Sequence, residues 1–220
     1  LPLENSLAGS VTDVYDLMKA HKFFIARSVK LRIEHRLLTA PGVKLSEIRE
    51  VVAHEQALRQ CARFLSGLKD VKLTPFANNA TAAKYVAESG RRDIAAIASA
   101  RNASLYGLEP LEERIMDDGS NYTRFICISR DMEIYPGANR ISLMAALSHT
   151  PGSLYRAVAR FAVEGLNLLK LESRPIPGRD FEFMFYFDFE GSVVDQDVKM
   201  LLSELSLSGG FTFLGNYSEV

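Results

Sequence analysis

The chain has 220 residues, 47% of them hydrophobic and 24% charged, and its 26 Lys and Arg nearly balance 27 Asp and Glu for a net charge of −1. That is enough for one or two domains with real cores, and no basic block or stripe marks a nucleic-acid partner. The two cysteines, Cys61 and Cys127, have neither CxxC nor Cys/His spacing, so they are expected in the core of a reduced, cytoplasmic chain; no apolar run approaches the roughly 20 residues that span a bilayer.

Residues 1–6, Leu-Pro-Leu-Glu-Asn-Ser, read as a strand end entering a helix and not as a signal peptide, so the chain is expected to open inside a larger unit. Asn5 or Ser6 would cap a helix carrying Val11, Val14, Tyr15, Leu17 and Met18. Residues 24–38 alternate like a strand, and Pro41-Gly42 makes a turn. A short helical turn at 45–49 leads into a buried strand at 50–52. A helix at 55–65 follows, with Leu58, Cys61, Ala62 and Leu65 on one face. Residues 71–73 form a strand, 79–88 an Ala-rich helix closed by Gly90, 94–98 an apolar strand, 100–106 a helix stopped by Gly107, and 123–129 a strand. This alternation implies an α/β domain with a mostly parallel sheet. Residues 136–139, Pro-Gly-Ala-Asn, break the pattern and set a boundary between domains 1–137 and 138–220. The second domain reads strand 141–147, helix 153–164, strand 168–174, strand 181–189, helix 195–205, strand 211–214. That βαββαβ order is a ferredoxin-like sandwich, and the aromatic run 181–189 is expected to have one covered face.

His21, His35, His54 and His149 are scattered and make no metal cluster, and no Walker loop, dinucleotide fingerprint or nucleophile elbow occurs. Asp117-Asp118 reads as a solvated turn. The better signals are polar residues where strands run into helices, because open α/β sheets collect ligands at helix N-termini. Three such junctions are expected: Asn5-Ser6, Ala53-His54 and Asn78-Asn79. Gln56 and Gln60 share a face of the helix at the second. Ordinary capping explains each junction alone; together with Thr123-Arg124 they favour a site for a small anion.

Several stretches carry a family resemblance across nearly the whole chain: residues 2–6 (Pro-Leu-Glu-Asn-Ser), 56–61 (Gln-Ala-Leu-Arg-Gln-Cys), 95–99 with Tyr106-Gly107-Leu108, 121–125 (Asn-Tyr-Thr-Arg-Phe) and 172–175 (Glu-Ser-Arg-Pro). The chain resembles prephenate dehydratase with a C-terminal ACT regulatory domain, as in bacterial proteins where it follows chorismate mutase. The resemblance implies a two-lobed dehydratase domain like a periplasmic binding protein, then a ferredoxin-like ACT domain. It implies decarboxylative dehydration of prephenate to phenylpyruvate in phenylalanine synthesis, without metal or cofactor. Thr123 matches the family threonine that assists departure of the ring hydroxyl, with Asn5 and Gln60 beside it as catalytic residues. Ser6, Arg124, Phe125 and Asn79 are the implied substrate contacts, Arg124 as a carboxylate clamp. Arogenate, the amino-acid analogue, is an alternative substrate.

Ala53 stands where the family usually has Ser, and Ala77-Asn78-Asn79 where it has an acidic residue and a threonine. The first strands and helices of one lobe of a typical dehydratase domain precede the part matched here. A chain without them is expected to have little activity, because a cleft missing one wall orients substrate poorly; a non-catalytic phenylalanine-binding module is the rival reading. The ACT part looks complete. Gly152, Ser153 and Leu154 match the family loop that approaches phenylalanine, and Glu172, Ser173 and Arg174 match the other half of that site. Since the effector binds where ACT domains pair, the resemblance implies a homodimer or homotetramer.

Overall fold

The structure is a computed structural model that describes residues 1–176, 178–179, 182–207 and 211–220. Strands β1 (Pro2–Asn5) and β2 (Gly9–Ser10) form a hairpin, and α1 (Thr12–Ala20) follows with Val11 as its N-cap. Asn5-Ser6 is therefore a strand end and turn, not a helix start. Both lie too far before the first helical residue to cap it.

The expected strand over 24–38 is two strands, β3 (Phe24–Arg32) and β4 (Arg36–Thr39), which join different sheets. A 3₁₀ turn at Leu45–Glu47 precedes β5 (Glu50–His54). The expected helix over 55–65 breaks at Cys61 into α2 (Glu55–Gln60) and α3 (Ala62–Ser66). Then come β6 (Lys72–Phe76), α4 (Asn79–Glu88), β7 (Ile94–Ala98) and α5 (Ala100–Tyr106), the last three at the expected bounds. Gly107 ends α5 in the left-handed region, φ 65°, which a side chain would strain. An unforeseen strand, β8 (Glu109–Glu112), precedes β9 (Tyr122–Ser129). The remainder is β10 (Arg140–Ala146), α6 (Ser153–Val163), β11 (Leu168–Pro175), β12 (Phe183–Glu190), α7 (Gln196–Leu207) and β13 (Thr212–Tyr217). Phe181, the expected start of the third of these strands, lies outside the described residues.

Contacts divide the chain into two units. One is 6–8 with 32–122; the other is 1–5, 9–31 and 123–220. In the 32–122 unit the sheet order is β6-β5-β7-β4-β8. β5 runs parallel to β6 and β7, but β4 is antiparallel to both β7 and β8, so the sheet is mixed where a mostly parallel one was expected. Both faces are covered, which explains the unbroken apolar run of β7. Ile94, Ala96 and Ala98 pack with Ala82, Ala83 and Val86 of α4. Ala95 and Ile97 pack on the other side with Ala57, Cys61 and Leu65. Ala62, expected on that buried face, is exposed, because the break at Cys61 shifts the helical phase.

In the other unit, β2-β1-β9-β3 form one sheet and β11-β12-β10-β13 a second. The second is an antiparallel βαββαβ sheet in ferredoxin-like order. Helices α6 and α7 cover one face, packing Phe161, Val198 and Leu201 against Leu143, Phe187 and Phe189. The other face is not solvated: Met144, Tyr186, Leu214 and Tyr217 pack against Leu3, Val14, Tyr15, Met18, Ile25 and Ile126. The aromatic strand thus has two covered faces, phenylalanines toward the helices and Met184, Tyr186 and Asp188 away from them. At Gly215 a Cβ would fall 2.3 Å from the Ile25 carbonyl oxygen, so β13 can approach β3 this closely only without a side chain.

Candidate functional site

Asn5 and Thr123 are cross-strand partners on β1 and β9. Asn5 Nδ2 donates to Thr123 Oγ1 at 2.9 Å, and Thr123 is buried. A hydroxyl has one proton and two acceptor sites. With Asn5 occupying an acceptor site, the Thr123 O–H is left to donate. An alcohol is too weak an acid to release a proton near neutrality, but a positioned O–H stabilises an oxygen that gains negative charge as its bond breaks. These two expected catalytic residues are brought together.

Gln60, the third, ends α2 in the 32–122 unit. Its Oε1 accepts from Asn121 Nδ2 at 3.2 Å and faces His35 Nε2 at 3.1 Å. His35 and Asn121 are both buried, and burial holds the His35 pKa below its usual value against the raising effect of the Gln60 hydrogen bond. Histidine spacing in the sequence gave no reason to single out His35. The available signal was slight, a histidine between Glu34 and Arg36 just before the buried Leu37-Leu38.

The expected substrate contacts fare differently. Ser6 closes the turn: its Oγ donates to the Ser120 carbonyl at 2.9 Å and accepts from Tyr122 N at 2.9 Å. Asn79 Oδ1 accepts from His54 N at 2.8 Å, tying the end of β5 to the start of α4. Asn78 caps α4 through Thr81 N, and His54 caps α2 through Gln56 N. The second and third expected junctions are therefore real helix starts. Phe125 is half-buried opposite Pro2.

Arg124 requires correction. It is 5% exposed and lies between two carboxylates, with Nε 2.8 Å from Glu4 Oε1 and Nη2 on Asp188 Oδ2. Burial opposes its charge, but Asp188, Tyr217 and Glu4 outweigh burial and hold the guanidinium protonated. Ser142 Oγ donates to the other Asp188 oxygen, and Lys170 Nζ to Glu4 Oε2. With both carboxylates already engaged, Arg124 is a buried tie between strands, not a free carboxylate clamp. Asp117 accepts from Arg63 N, and Asp118 caps Ser120 N, so the pair is a structured turn. Cys61 is fully buried and its thiol is pushed up to about 12, first by burial. Cys127 is exposed, against the expected core position.

The expected effector loop lines a pocket of about 360 Å³ formed by residues 147–151 with Ser153, Leu154, Phe183 and Phe185. Gly152 is the N-cap of α6 with φ 79°. Ser173 is the cross-strand partner of Phe185 and so shares its face. Glu172 and Arg174 point to the opposite face, where Glu172 accepts from Ser10 Oγ and Arg174 forms a two-pronged pair with Asp16 at 3.1 and 2.7 Å. The expected six-residue effector set is thus split between two faces of one sheet. No helix among the described residues is long and apolar enough to cross a membrane.

The prephenate dehydratase family model matches residues 1–133. Two chloroplastic proteins of Arabidopsis thaliana, arogenate dehydratase/prephenate dehydratase 1 and 2, are 39% and 40% identical, and the match covers 99% of this chain. The chain spans only 59% and 60% of their length. Among solved structures, prephenate dehydratase from Arthrobacter aurescens in complex with L-Phe superposes with TM-score 0.90 at 30% identity, over 99% of this chain and 74% of that one. GqqA, described as a novel type of quorum quenching acylase, also gives 0.90, at 33% identity over 100% and 81%. Prephenate dehydratase from Staphylococcus aureus shares the fold, with TM-score 0.83 at 22% identity. The α/β architecture, the matched segment and these relatives together make the chain a member of the prephenate dehydratase family.

Proposed function

We propose that the protein is a prephenate dehydratase, converting prephenate to phenylpyruvate, water and carbon dioxide, with phenylalanine as feedback effector. The observation that carries the reading is the Asn5–Thr123 hydrogen bond at 2.9 Å between registered residues of two strands. Prephenate loses its ring carboxylate and ring hydroxyl together. The C–C bond to the carboxylate breaks, its electron pair aromatises the ring, and the C–O bond breaks with both its electrons going to the departing oxygen, which leaves as hydroxide and becomes water by taking a proton from solvent. That oxygen needs a hydrogen-bond donor as it gains charge. Thr123 O–H is that donor, and Asn5 fixes its direction. Gln60 keeps, in this reading, the catalytic role that the family resemblance implies for it, as an amide donor.

Residues 138–220 act as an ACT regulatory domain in this reading. The pocket beside Gly152 has the apolar lining of Leu147, Leu154, Phe183 and Phe185 that a phenyl ring needs. β11 is an edge strand with Leu169 and Leu171 exposed, which fits pairing with a second copy as homodimer or homotetramer. Free Cys61 and Cys127 fit a cytoplasmic setting, whereas the named plant relatives are chloroplastic. The deciding assay follows phenylpyruvate from prephenate, and phenylalanine from arogenate in parallel, using the protein at its full natural length. Arogenate is included because the relatives' names carry both substrates. Turnover of prephenate that Thr123→Ala sharply lowers supports the reading, and a wild-type protein inert toward prephenate overturns it.

A further inference from the structure

The Gln60 amide could sit in either of two orientations, and its neighbours choose one. Its oxygen has two donors to satisfy it, Asn121 Nδ2 at 3.2 Å and His35 Nε2 at 3.1 Å. The reverse orientation would turn the Gln60 NH2 group against the Asn121 NH2 group, donor against donor. It would also require His35 to carry its proton on Nδ1. That atom is buried with no hydrogen-bond partner. A buried N–H without an acceptor is among the least tolerated groups in a fold, whereas a bare ring nitrogen lone pair is less penalised. The chemistry therefore selects the Nε2–H tautomer.

We infer that His35 is a positioning residue for the dehydratase site: through Nε2–H it holds the Gln60 oxygen, with Asn121, so that the Gln60 NH2 group is presented as a donor to substrate. The inference rests on the dehydratase reading for what Gln60 contacts. Further hydrogen bonds tie the surrounding backbone together. Ile33 N donates to the Asn121 carbonyl at 2.8 Å, tying the segment that carries His35 to Asn121, and Asp117 N donates to the Gln60 carbonyl at 2.9 Å. His35 N also donates to Met116 Sδ. The charged groups lining the adjacent pocket are engaged among themselves, Arg32 with Glu34 and Arg36 with Glu113, apart from Arg114. None of them makes a hydrogen bond or ion pair with the imidazole among the described residues. Gln60 Nε2 has no hydrogen-bond partner among the described residues, which leaves it able to donate.

Two measurements test this. Nitrogen NMR of the purified chain at neutral pH should show His35 protonated on Nε2 and bare on Nδ1. An Nδ1–H tautomer would reverse the Gln60 orientation and overturn the inference. In the full-length protein, His35→Leu removes the donor at similar volume and should lower kcat/KM by about 10- to 100-fold, while His35→Gln, whose amide reaches as far as Nε2, should recover to within about fivefold. Equal activity in His35→Leu and wild type, or equal loss in both variants, would reduce His35 to a packing residue. If the wild type converts neither prephenate nor arogenate, the dehydratase reading and the catalytic half of this inference fail together, and the tautomer result alone decides how Gln60 is held.

Discussion

Glu4 and Arg124 are registered partners on β1 and β9, and their side chains meet at 2.8 Å one position away from the Asn5–Thr123 pair. Successive residues of a strand point to opposite faces. The ion pair therefore occupies the face toward the antiparallel sheet of β10–β13, and Asn5 and Thr123 occupy the other. Asp188 on β12 completes the buried cluster. One pair of strands thus carries a charged clamp on one side and the proposed catalytic pair on the other, so the clamp fixes the register on which the 2.9 Å hydrogen bond depends.

Removing the clamp should be costly. Arg124→Met leaves Asp188 buried with an uncompensated charge and is expected to destabilise the fold by about 3–5 kcal/mol. Adding Asp188→Asn removes that charge and should restore part of the loss, a coupling that a double-mutant cycle isolates. Urea midpoints with an unchanged m-value are the measurement. Strict additivity of the two changes would show that the pair does not act as a unit.

Thr123→Ala should lower kcat by about 10²–10³, the scale for one transition-state donor. Binding should change much less, because the ground-state hydroxyl needs no such donor. Thr123→Ser keeps the O–H and should keep most of the rate. Steady-state kinetics on the full-length protein separate the two effects, and wild-type turnover by Thr123→Ala would remove Thr123 from the mechanism.

Much of this was legible in the sequence where local and tertiary preferences agree. The helix at Asn79–Glu88 has its cap in Asn78 and its stop near Gly90, and the strand at Ile94–Ala98 is apolar throughout because both faces are buried. Failures occur where long-range pairing decides. Residues 24–38 alternate continuously, yet the chain turns from one sheet to another within them. Glu109–Glu112 has exposed glutamates at both ends and one half-buried Leu111, and it is a strand because β4 offers an edge. At the site, Thr123 and Asn5 could be named from a motif, but their pairing across 118 positions could not. Arg124 misled because an arginine beside a threonine looks like a ligand clamp. The correcting signals were distant: Glu4 and Asp188, carboxylates set among apolar strand residues, demand a cation.

His35 should leave a trace in stability against pH. Its folded pKa is lowered by burial, with only Gln60 raising it. The unfolded chain then binds a proton on this residue more readily than the folded one. Stability from His35 is fully present above the unfolded value near 6.5 and is lost as pH falls below it, levelling off beneath the folded value. Denaturation midpoints at pH 8, 6.5 and 5 (about one unit or more apart) should decline more steeply in wild type than in His35→Gln. Parallel curves would mean that another group sets the slope.

Phenylalanine should bind at the pocket beside Gly152. Leu147, Leu154, Phe183 and Phe185 offer the ring an apolar wall, and the backbone at the start of α6 offers N–H groups to a carboxylate. Gly152 sits at φ 79°, and a Cβ there would come 3.1 Å from the Arg156 guanidinium. Gly152→Ala must therefore strain the loop, by about 1–2 kcal/mol on the usual scale for a left-handed residue, and should weaken the effector more than it weakens the fold. Ligand that binds only the native state raises the melting temperature as RT ln(1 + [L]/Kd). Calorimetry and thermal shift with phenylalanine, against tyrosine and alanine as controls, measure this directly. Glu172 and Arg174 lie on the other face, paired with Ser10 and Asp16, so Arg174→Ala should leave direct binding largely intact while Leu154→Ala weakens it. The reverse ranking would move the effector to the opposite face of the sheet, and no shift with millimolar phenylalanine in a folded sample would leave residues 138–220 as an assembly element only.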